Sequence, residues 1–255
     1  MNGIIPELEE SLHSLKKPVI CFSGGMDSTV LARNAKEYCS DFTLLFIRLP
    51  MNSQRQVDAA VSVADALDLP LRMERLDWDD LKGVEINGPD RCYHCKDAIF
   101  RKAEEVCRDA GSGTILAGDN ADDLDSQRPG HRAAVEHGVI NPLKDAGIGR
   151  GRVRKCLDEM HLPIDIIKDT CMATRYPTGH PIGEREMRFV EDCEAAVRKV
   201  SGLRQLRVRI DGGRATVTTD ISETGEMMRH LTKINYELRS RGLECDPDLE
   251  GYKGM

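Results

Sequence analysis

Residues 18–29 read Pro-Val-Ile-Cys-Phe-Ser-Gly-Gly-Met-Asp-Ser-Thr, and this run decides the fold. Pro18 to Phe22 is a short apolar run with Lys16-Lys17 before it and Ser-Gly-Gly after it. That is the profile of a parallel strand buried on both faces. From Ser28 to Tyr38, Val30, Leu31 and Ala35 recur at helical spacing. Between strand and helix, Gly24 and Gly25 let the backbone approach a ligand, and the helix N-terminus offers its N–H groups to an anion. Ser23, Ser28 and Thr29 add hydroxyl donors. Asp27 does not suit a pure anion site, but Mg²⁺ carried with nucleotide phosphates would give it a partner. The loop lacks the Gly-Lys-Ser/Thr ending of a Walker A motif. Its blandest reading is an N-capped strand–helix turn with Asp27 in the first helical turn.

Working outward, residues 42–47 read as a second strand and 54–67 as a second helix, with Val57, Ala60, Val61, Ala64 and Leu67 on one face. A third strand is expected at 71–76, a helix at 95–110 and a fourth strand at 114–118. Strands alternating with helices imply an α/β fold, a doubly wound parallel sheet whose ligand site lies beyond the carboxyl ends of its strands. Past residue 165 the pattern changes. A polar stretch holding Cys171, Pro177, Gly179 and Pro181 reads as a long functional loop. A helix over 184–200, a β-hairpin over 204–219 turning at Asp211-Gly212-Gly213, a helix over 222–240 and a frayed polar tail follow. The expected division is a nucleotide-binding domain over 1–165 and a smaller C-terminal α/β appendage over 166–255, carrying the Cys171 loop and the hairpin.

Of the 255 residues, 40% are hydrophobic and 31% charged, so a sizeable core can form; aromatics at 4% make it mainly aliphatic. A net charge of −7 gives no general attraction to phosphate backbones and argues against a nucleic-acid partner. The first residues, MNGIIPELEESLHSLKK, include early acids and no apolar stretch of signal-peptide type. No apolar run approaches the ~20 residues a membrane span needs. A cytoplasmic protein is expected. In that setting nine cysteines read as thiols, metal ligands or redox groups rather than as a disulfide framework.

Three of the cysteines stand apart. Cys92 and Cys95 form a C-x-x-C followed by Lys96, a spacing that lets two thiolates share a metal or form a redox disulfide. Cys171 sits in the polar loop. Cys21, Cys39, Cys107, Cys156, Cys193 and Cys245 have no partner spacing, and Cys21 reads as a small core residue. Arg207 and Arg209, two apart on a predicted strand, leave the same face, with Leu206, Val208 and Ile210 on the other. Two guanidiniums placed so suit a phosphate, although a solvated hairpin face has the same pattern. Glu191 and Glu194 read as a solvated helix face.

The run Ser23-Gly24-Gly25-Met26-Asp27-Ser28 resembles the SGGxDS signature of PP-loop ATP pyrophosphatases, which cleave ATP between the α and β phosphates. Further segments occur in the order seen in the LarE family of that group. These are Arg91-Cys92-Tyr93-His94-Cys95-Lys96, Gly118-Asp119-Asn120-Ala121-Asp122-Asp123, Arg128-Pro129-Gly130, Asn141-Pro142-Leu143, Cys171-Met172-Ala173-Thr174-Arg175, Tyr176-Pro177-Thr178-Gly179 and Arg207-Val208-Arg209. The resemblance runs from about residue 15 to about 220. LarE-like proteins resemble NAD synthetases in their nucleotide domain and donate sulfur in making the nickel-pincer nucleotide cofactor. By that resemblance a pyridinium carboxylate mononucleotide is adenylylated, and sulfur then displaces AMP to leave a thiocarboxylate.

The resemblance also implies site residues. Asn120, Asp122 and Asp123, with Gly118, should lie near the phosphates or Mg²⁺, whereas Asp119 reads as structural; a loop or capping role is the plainer reading of these acids. Arg207 and Arg209 should face the substrate phosphate, with Arg175 a further anion contact. Homo-oligomers are usual in the family. For the sulfur, three chemistries stand open. Cys92, Cys95 and Cys171 can hold a [4Fe-4S] cluster with one iron free for an extra sulfide. Cys171 can instead be sacrificial, giving up its own sulfur, or the cysteines can carry a persulfide. Structural zinc would need His94 or His180 as a fourth ligand. The C-x-x-C departs from the lone-cysteine LarE pattern and resembles the cluster-bearing branch. An amide ligase resembling NAD synthetase, a tRNA-thiolating enzyme and a non-catalytic nucleotide- or metal-binding protein are the competing readings.

Overall fold

The computed structural model describes residues 3–123, 129–164, 166 and 169–251. The chain divides into two compact units, one of Met1–Val84 with Asp90–Ile167, the other of Glu85–Pro89 with Lys168–Met255.

In the first unit, strands β1 (Val19–Cys21), β2 (Thr43–Arg48), β3 (Leu71–Arg75) and β4 (Ile115–Leu116) alternate with helices α2 (Met26–Tyr38), α3 (Gln54–Ala66) and α4 (Arg91–Ala110), after a short α1 (Glu9–His13). Among the described residues the strands form a four-stranded parallel sheet in the order β3-β2-β1-β4. The chain therefore steps outward from β1 to β3 and then returns to the far side of β1. That reversal is a topological switch point, and it opens a crevice beyond the carboxyl ends of β1 and β4. The expected α/β parallel-sheet fold is what forms. Its core is aliphatic: Ile20, Leu44 and Leu116 of the sheet pack with Val30, Leu31 and Ala35 of α2 and with Val57, Ala60 and Ala64 of α3. Ser53 and Gln56 begin α3 with a reciprocal capping box.

Periodicity did not announce the rest of this unit. Ile140 extends the sheet by one parallel bridge to Leu116. Helices α5 (Pro129–Glu136), α6 (Pro142–Asp145) and α7 (Arg150–Met160) fill residues 129–160. Two are short, and α7 is so charged that only Val153 and Cys156 are buried.

The second unit holds α8 (Glu184–Ser201), the hairpin β5 (Leu206–Asp211) and β6 (Arg214–Thr219), helices α9 (Thr224–Arg229) and α10 (Leu231–Arg239), and β7 (Glu244–Pro247). The single helix expected over 222–240 is broken at His230, which takes φ −101°, ψ 6° and hydrogen-bonds Glu226 at 2.8 Å. The described part of the tail is not frayed: β7 pairs in parallel with β6, and Arg214 Nε donates to Asp246 at 2.9 Å, while residues 252–255 lie outside the described residues. Glu85–Pro89 joins this unit through backbone bonds, Gly179 N to Asn87 O and Ile182 N to Glu85 O, both 2.8 Å. Among the described residues no helix is long and apolar enough to cross a membrane.

Candidate active site

The turn after β1 is held open by its own hydroxyls. Ser23 Oγ accepts from Gly25 N and lies 3.1 Å from Ser28 Oγ, while Thr29 Oγ1 donates to Gly25 O at 2.8 Å. Gly25 caps α2 without a side chain, so the first N–H groups of that helix keep no intrahelical acceptor. Gly24 adopts φ +72°, and a Cβ there would stand 2.7 Å from Ala60 Cα. Only glycine lets the turn close down on α3. The loop after β4 crosses the switch point to meet the turn: a Cβ on Gly118 would lie 2.9 Å from Ser28 N. Two residues later Asn120, buried, donates from Nδ2 to Asp27 Oδ1 at 2.8 Å. The structure thus brings Ser23, Gly24, Gly25, Asp27, Ser28, Thr29, Gly118 and Asn120 to one place.

Acids and bases are mixed around this turn. Burial pushes the Asp27 carboxyl above its usual range; the Asn120 bond opposes that and the nearby Asp123 charge adds to it. Asp123 Oδ2 accepts from Asn120 N, and its other oxygen lies 3.6 Å from Arg150. Asp122 Oδ2 accepts from Arg150 N at 2.6 Å, which anchors the start of α7. Asp119 faces Lys96 Nζ at 3.4 Å. Arg150 was missed by sequence reasoning, because it stands 28 residues from Asp122 in an unpatterned segment and nothing local announced it. Arg128 lies outside the described residues.

Cys92 and Cys95 fall on the first turns of α4, not in a loop; Cys92 is exposed and Cys95 partly so. Thiols three apart on one helical turn face the same side, as a ligand pair requires. Burial raises the other thiols, Cys21 to about 12 and Cys39, Cys193 and Cys245 to about 11, with Cys107 and Cys156 also raised, which keeps them protonated and inert. Of the two histidines considered as zinc ligands, His94 lies against Gly83, and His180 stacks on Tyr176 at 4.8 Å. Among the described residues no group of three or more His, Cys, Asp or Glu side chains is arranged to hold a metal ion.

In the second unit, Cys171 opens a single 3₁₀ turn, Met172–Arg175, closed by Thr174 N and Oγ1 on the Cys171 carbonyl. Arg175 was expected as an anion contact, and the structure corrects this. Its guanidinium is buried, donating Nε to Glu194 at 2.6 Å and Nη2 to Asp169 at 2.8 Å. Burial works against the charge, yet the two carboxylates hold it above its usual value. Glu194 is likewise no solvated helix residue, being 4% exposed. On β5, Leu206, Val208 and Ile210 are buried as expected, but so is Arg207. Arg209 is exposed and donates to Thr218 Oγ1 at 3.3 Å.

No family model matches the chain. The pyridinium-3,5-bisthiocarboxylic acid mononucleotide synthase of Lactiplantibacillus plantarum is 24% identical over 250 residues, which cover 96% of this chain and 90% of that protein. That match spans both units. Over nearly its whole length the chain is similar to this LarE-type synthase. An uncharacterized protein of Methanocaldococcus jannaschii is 29% identical over 183 residues, 72% of this chain and 70% of its own. Another, from Synechocystis, is 25% identical over 265 residues, covering 99% and 96%. The Ser23–Thr29 run stands at the switch point, and thiols occur in each of the two units.

Proposed function

We propose that the protein is an ATP-dependent sulfur transferase, which adenylylates a substrate carboxylate and replaces the adenylate with sulfur. The observation that carries this is the cradle formed by the 23–29 turn and the Gly118–Asn120 loop at the switch point, with Asp27 half-buried between them. The α2 N-terminus takes the triphosphate, and Asp27, steadied by Asn120 and Asp123, is the residue that would hold Mg²⁺. A carboxylate oxygen of the substrate attacks the α-phosphorus, and the bond to the β-phosphate oxygen breaks as pyrophosphate leaves. The acyl-adenylate carbon is then open to a sulfur nucleophile, and AMP departs with the electron pair of its C–O bond. Asp122 acts through α7, which it anchors. Arg207 and Arg209 bind the substrate phosphate, and Cys171 serves at the sulfur-transfer step.

The substrate class is a small carboxylated mononucleotide, after the product named for the Lactiplantibacillus relative. The acidity of the chain, with a net charge of −7, favours this over tRNA. Cys92, Cys95 and Cys171 are the residues that would hold a [4Fe-4S] cluster, which would supply sulfide to the reaction; thiols, two of them on one helical turn, are the donor type such a group takes. The test is anaerobic purification with iron and sulfide analysis, then pyrophosphate release with ATP, Mg²⁺ and a pyridinium carboxylate mononucleotide. Iron lost in Cys92→Ala and a thiocarboxylate product support the reading. A colourless protein that loses sulfur mass at Cys171 after one turnover points to sacrifice instead. Unchanged turnover in Cys171→Ala with ammonia as acceptor points to an amide ligase.

A further inference from the structure

Glu194 is the one buried carboxylate of α8, and a single oxygen of it serves two elements at once. Oε1 accepts from Arg175 Nε at 2.6 Å and from Val208 N at 3.1 Å. Arg175 ends the 3₁₀ turn that Cys171 begins, and its Nη1 also holds Thr170 Oγ1 at 2.8 Å. Val208 lies between Arg207 and Arg209 on β5, the edge of a β5-β6-β7 sheet. An edge strand leaves outward N–H groups without a ladder partner, so the Glu194 oxygen takes a donor the sheet cannot satisfy.

We infer that Glu194 is a positioning residue that sets the Cys171 turn relative to the strand bearing Arg207 and Arg209, so that thiol and guanidiniums move together. The inference rests on the proposed roles of those three residues. Stability alone explains the arrangement poorly, because a buried ion pair is commonly no better than well-packed apolar side chains of the same volume. What a shared carboxylate oxygen adds is fixed geometry: two hydrogen bonds to one atom constrain both donors. Glu194 touches no reacting atom, and its effect passes through the backbone at 171–176 and at Val208.

The test uses the full chain as Glu194→Gln, in which an oxygen remains for Val208 N–H while the charge facing Arg175 is lost. Two readouts need no substrate: amide hydrogen exchange over 171–176 and 206–210, and the rate of iodoacetamide alkylation at Cys171 followed by mass spectrometry. The expected result is exchange at 171–176 faster by about tenfold, the scale of one lost charge-assisted bond, with a changed Cys171 alkylation rate and 206–210 still protected. Sulfur transfer should fall in kcat with the KM for ATP unchanged, since the nucleotide turn belongs to the other unit. Wild-type exchange at 171–176 together with unchanged alkylation would overturn the inference. Should Glu194→Gln fail to fold, Arg175→Lys breaks the same tie from the other end and carries the same two expectations. Wild-type protein that makes no thiocarboxylate would refute the functional reading and leave these two readouts standing.

Discussion

Replacing Gly118 by alanine tests whether the β4 loop and the start of α2 form one preorganised cradle. The backbone at Gly118 has no positive φ, so alanine meets no conformational penalty, and only space opposes it. The new Cβ would stand 2.9 Å from Ser28 N, 3.1 Å from Ser28 Cα and 3.2 Å from the Asp27 carbonyl carbon, all backbone atoms that cannot rotate aside. Ordinary contact begins near 3.4 Å, so loop and helix must part by about half an ångström. The Asn120–Asp27 bond, now 2.8 Å, spans the same gap and would stretch to the limit of useful hydrogen-bond geometry. Overpacking of this kind costs about 1–3 kcal/mol in stability. Misplacement of the anion-binding N–H groups should weaken Mg²⁺-ATP by at least about tenfold, ~1.4 kcal/mol. Urea unfolding and calorimetry measure the two effects. Gly113→Ala is the control: it lies in open space just before β4 and should leave affinity alone while adding about 0.4–1 kcal/mol to stability. If Gly118→Ala folds and binds Mg²⁺-ATP as tightly as the wild type, the cradle is not what grips the nucleotide.

Other substitutions separate structural from functional charge. Because burial raises the Asp27 carboxyl, its ionised form opposes folding as pH climbs through that raised value; Asp27→Asn should raise the Tm of nucleotide-free protein at neutral pH and abolish Mg²⁺-ATP binding, and a lowered Tm would refute this. Arg175→Met strands the buried Glu194 and the partly buried Asp169 and should cost about 3–5 kcal/mol in urea unfolding; a loss under about 1 kcal/mol would show the pairs to be unimportant. Asp122→Ala should cost about 1 kcal/mol, as the loss of a helix cap does, while Asp123→Ala should weaken Mg²⁺-ATP more than it destabilises; equal affinities would place the metal elsewhere. His137 bridges Glu104 at 2.7 Å and Asp97 at 3.0 Å; burial works against its charge, yet the two bonds hold its pKa above the ordinary 6.5. Its contribution is therefore full below 6.5 and fades as pH rises through the raised value, so His137→Gln should flatten Tm against pH across that window.

The parallel sheet was legible because fully buried strands read as continuous apolar runs, and the Ser23–Thr29 turn because paired glycines directly after one of them punctuate the chain. Asn120 and Asp27 were each legible, but their contact joins positions 93 apart and follows only from the return of β4 to β1. Helices α5 to α7 escaped notice because short or charged helices carry almost no apolar stripe. Strand β7 escaped because Glu244-Cys-Asp-Pro247 does not alternate; it is recruited by pairing with β6 rather than by its own pattern. Arg175 and Glu194 misled for a related reason. A charged residue in a functional loop looks like a ligand contact, and one on a helix looks like a solvated face, until burial is known, and burial is a property of packing.

Burial also decides what each charge can do. A guanidinium without exposure, already facing two carboxylates, cannot turn to a phosphate without stranding both of them. Arg175 is therefore committed to the fold. Asp27 stands in the opposite position: it is half-buried, its carboxyl is raised, and it hydrogen-bonds the neutral amide of Asn120, with Arg150 only a minor opposing charge. At neutral pH an ionised Asp27 is under-compensated within the protein, and a divalent cation is the ligand that would compensate it. The same turn offers N–H groups to an anion, so neither a bare metal nor a bare phosphate satisfies both halves. A magnesium-bound nucleotide satisfies both. That complementarity supports the proposed ATP chemistry over simple anion binding, and the higher Tm expected of Asp27→Asn is its counterpart.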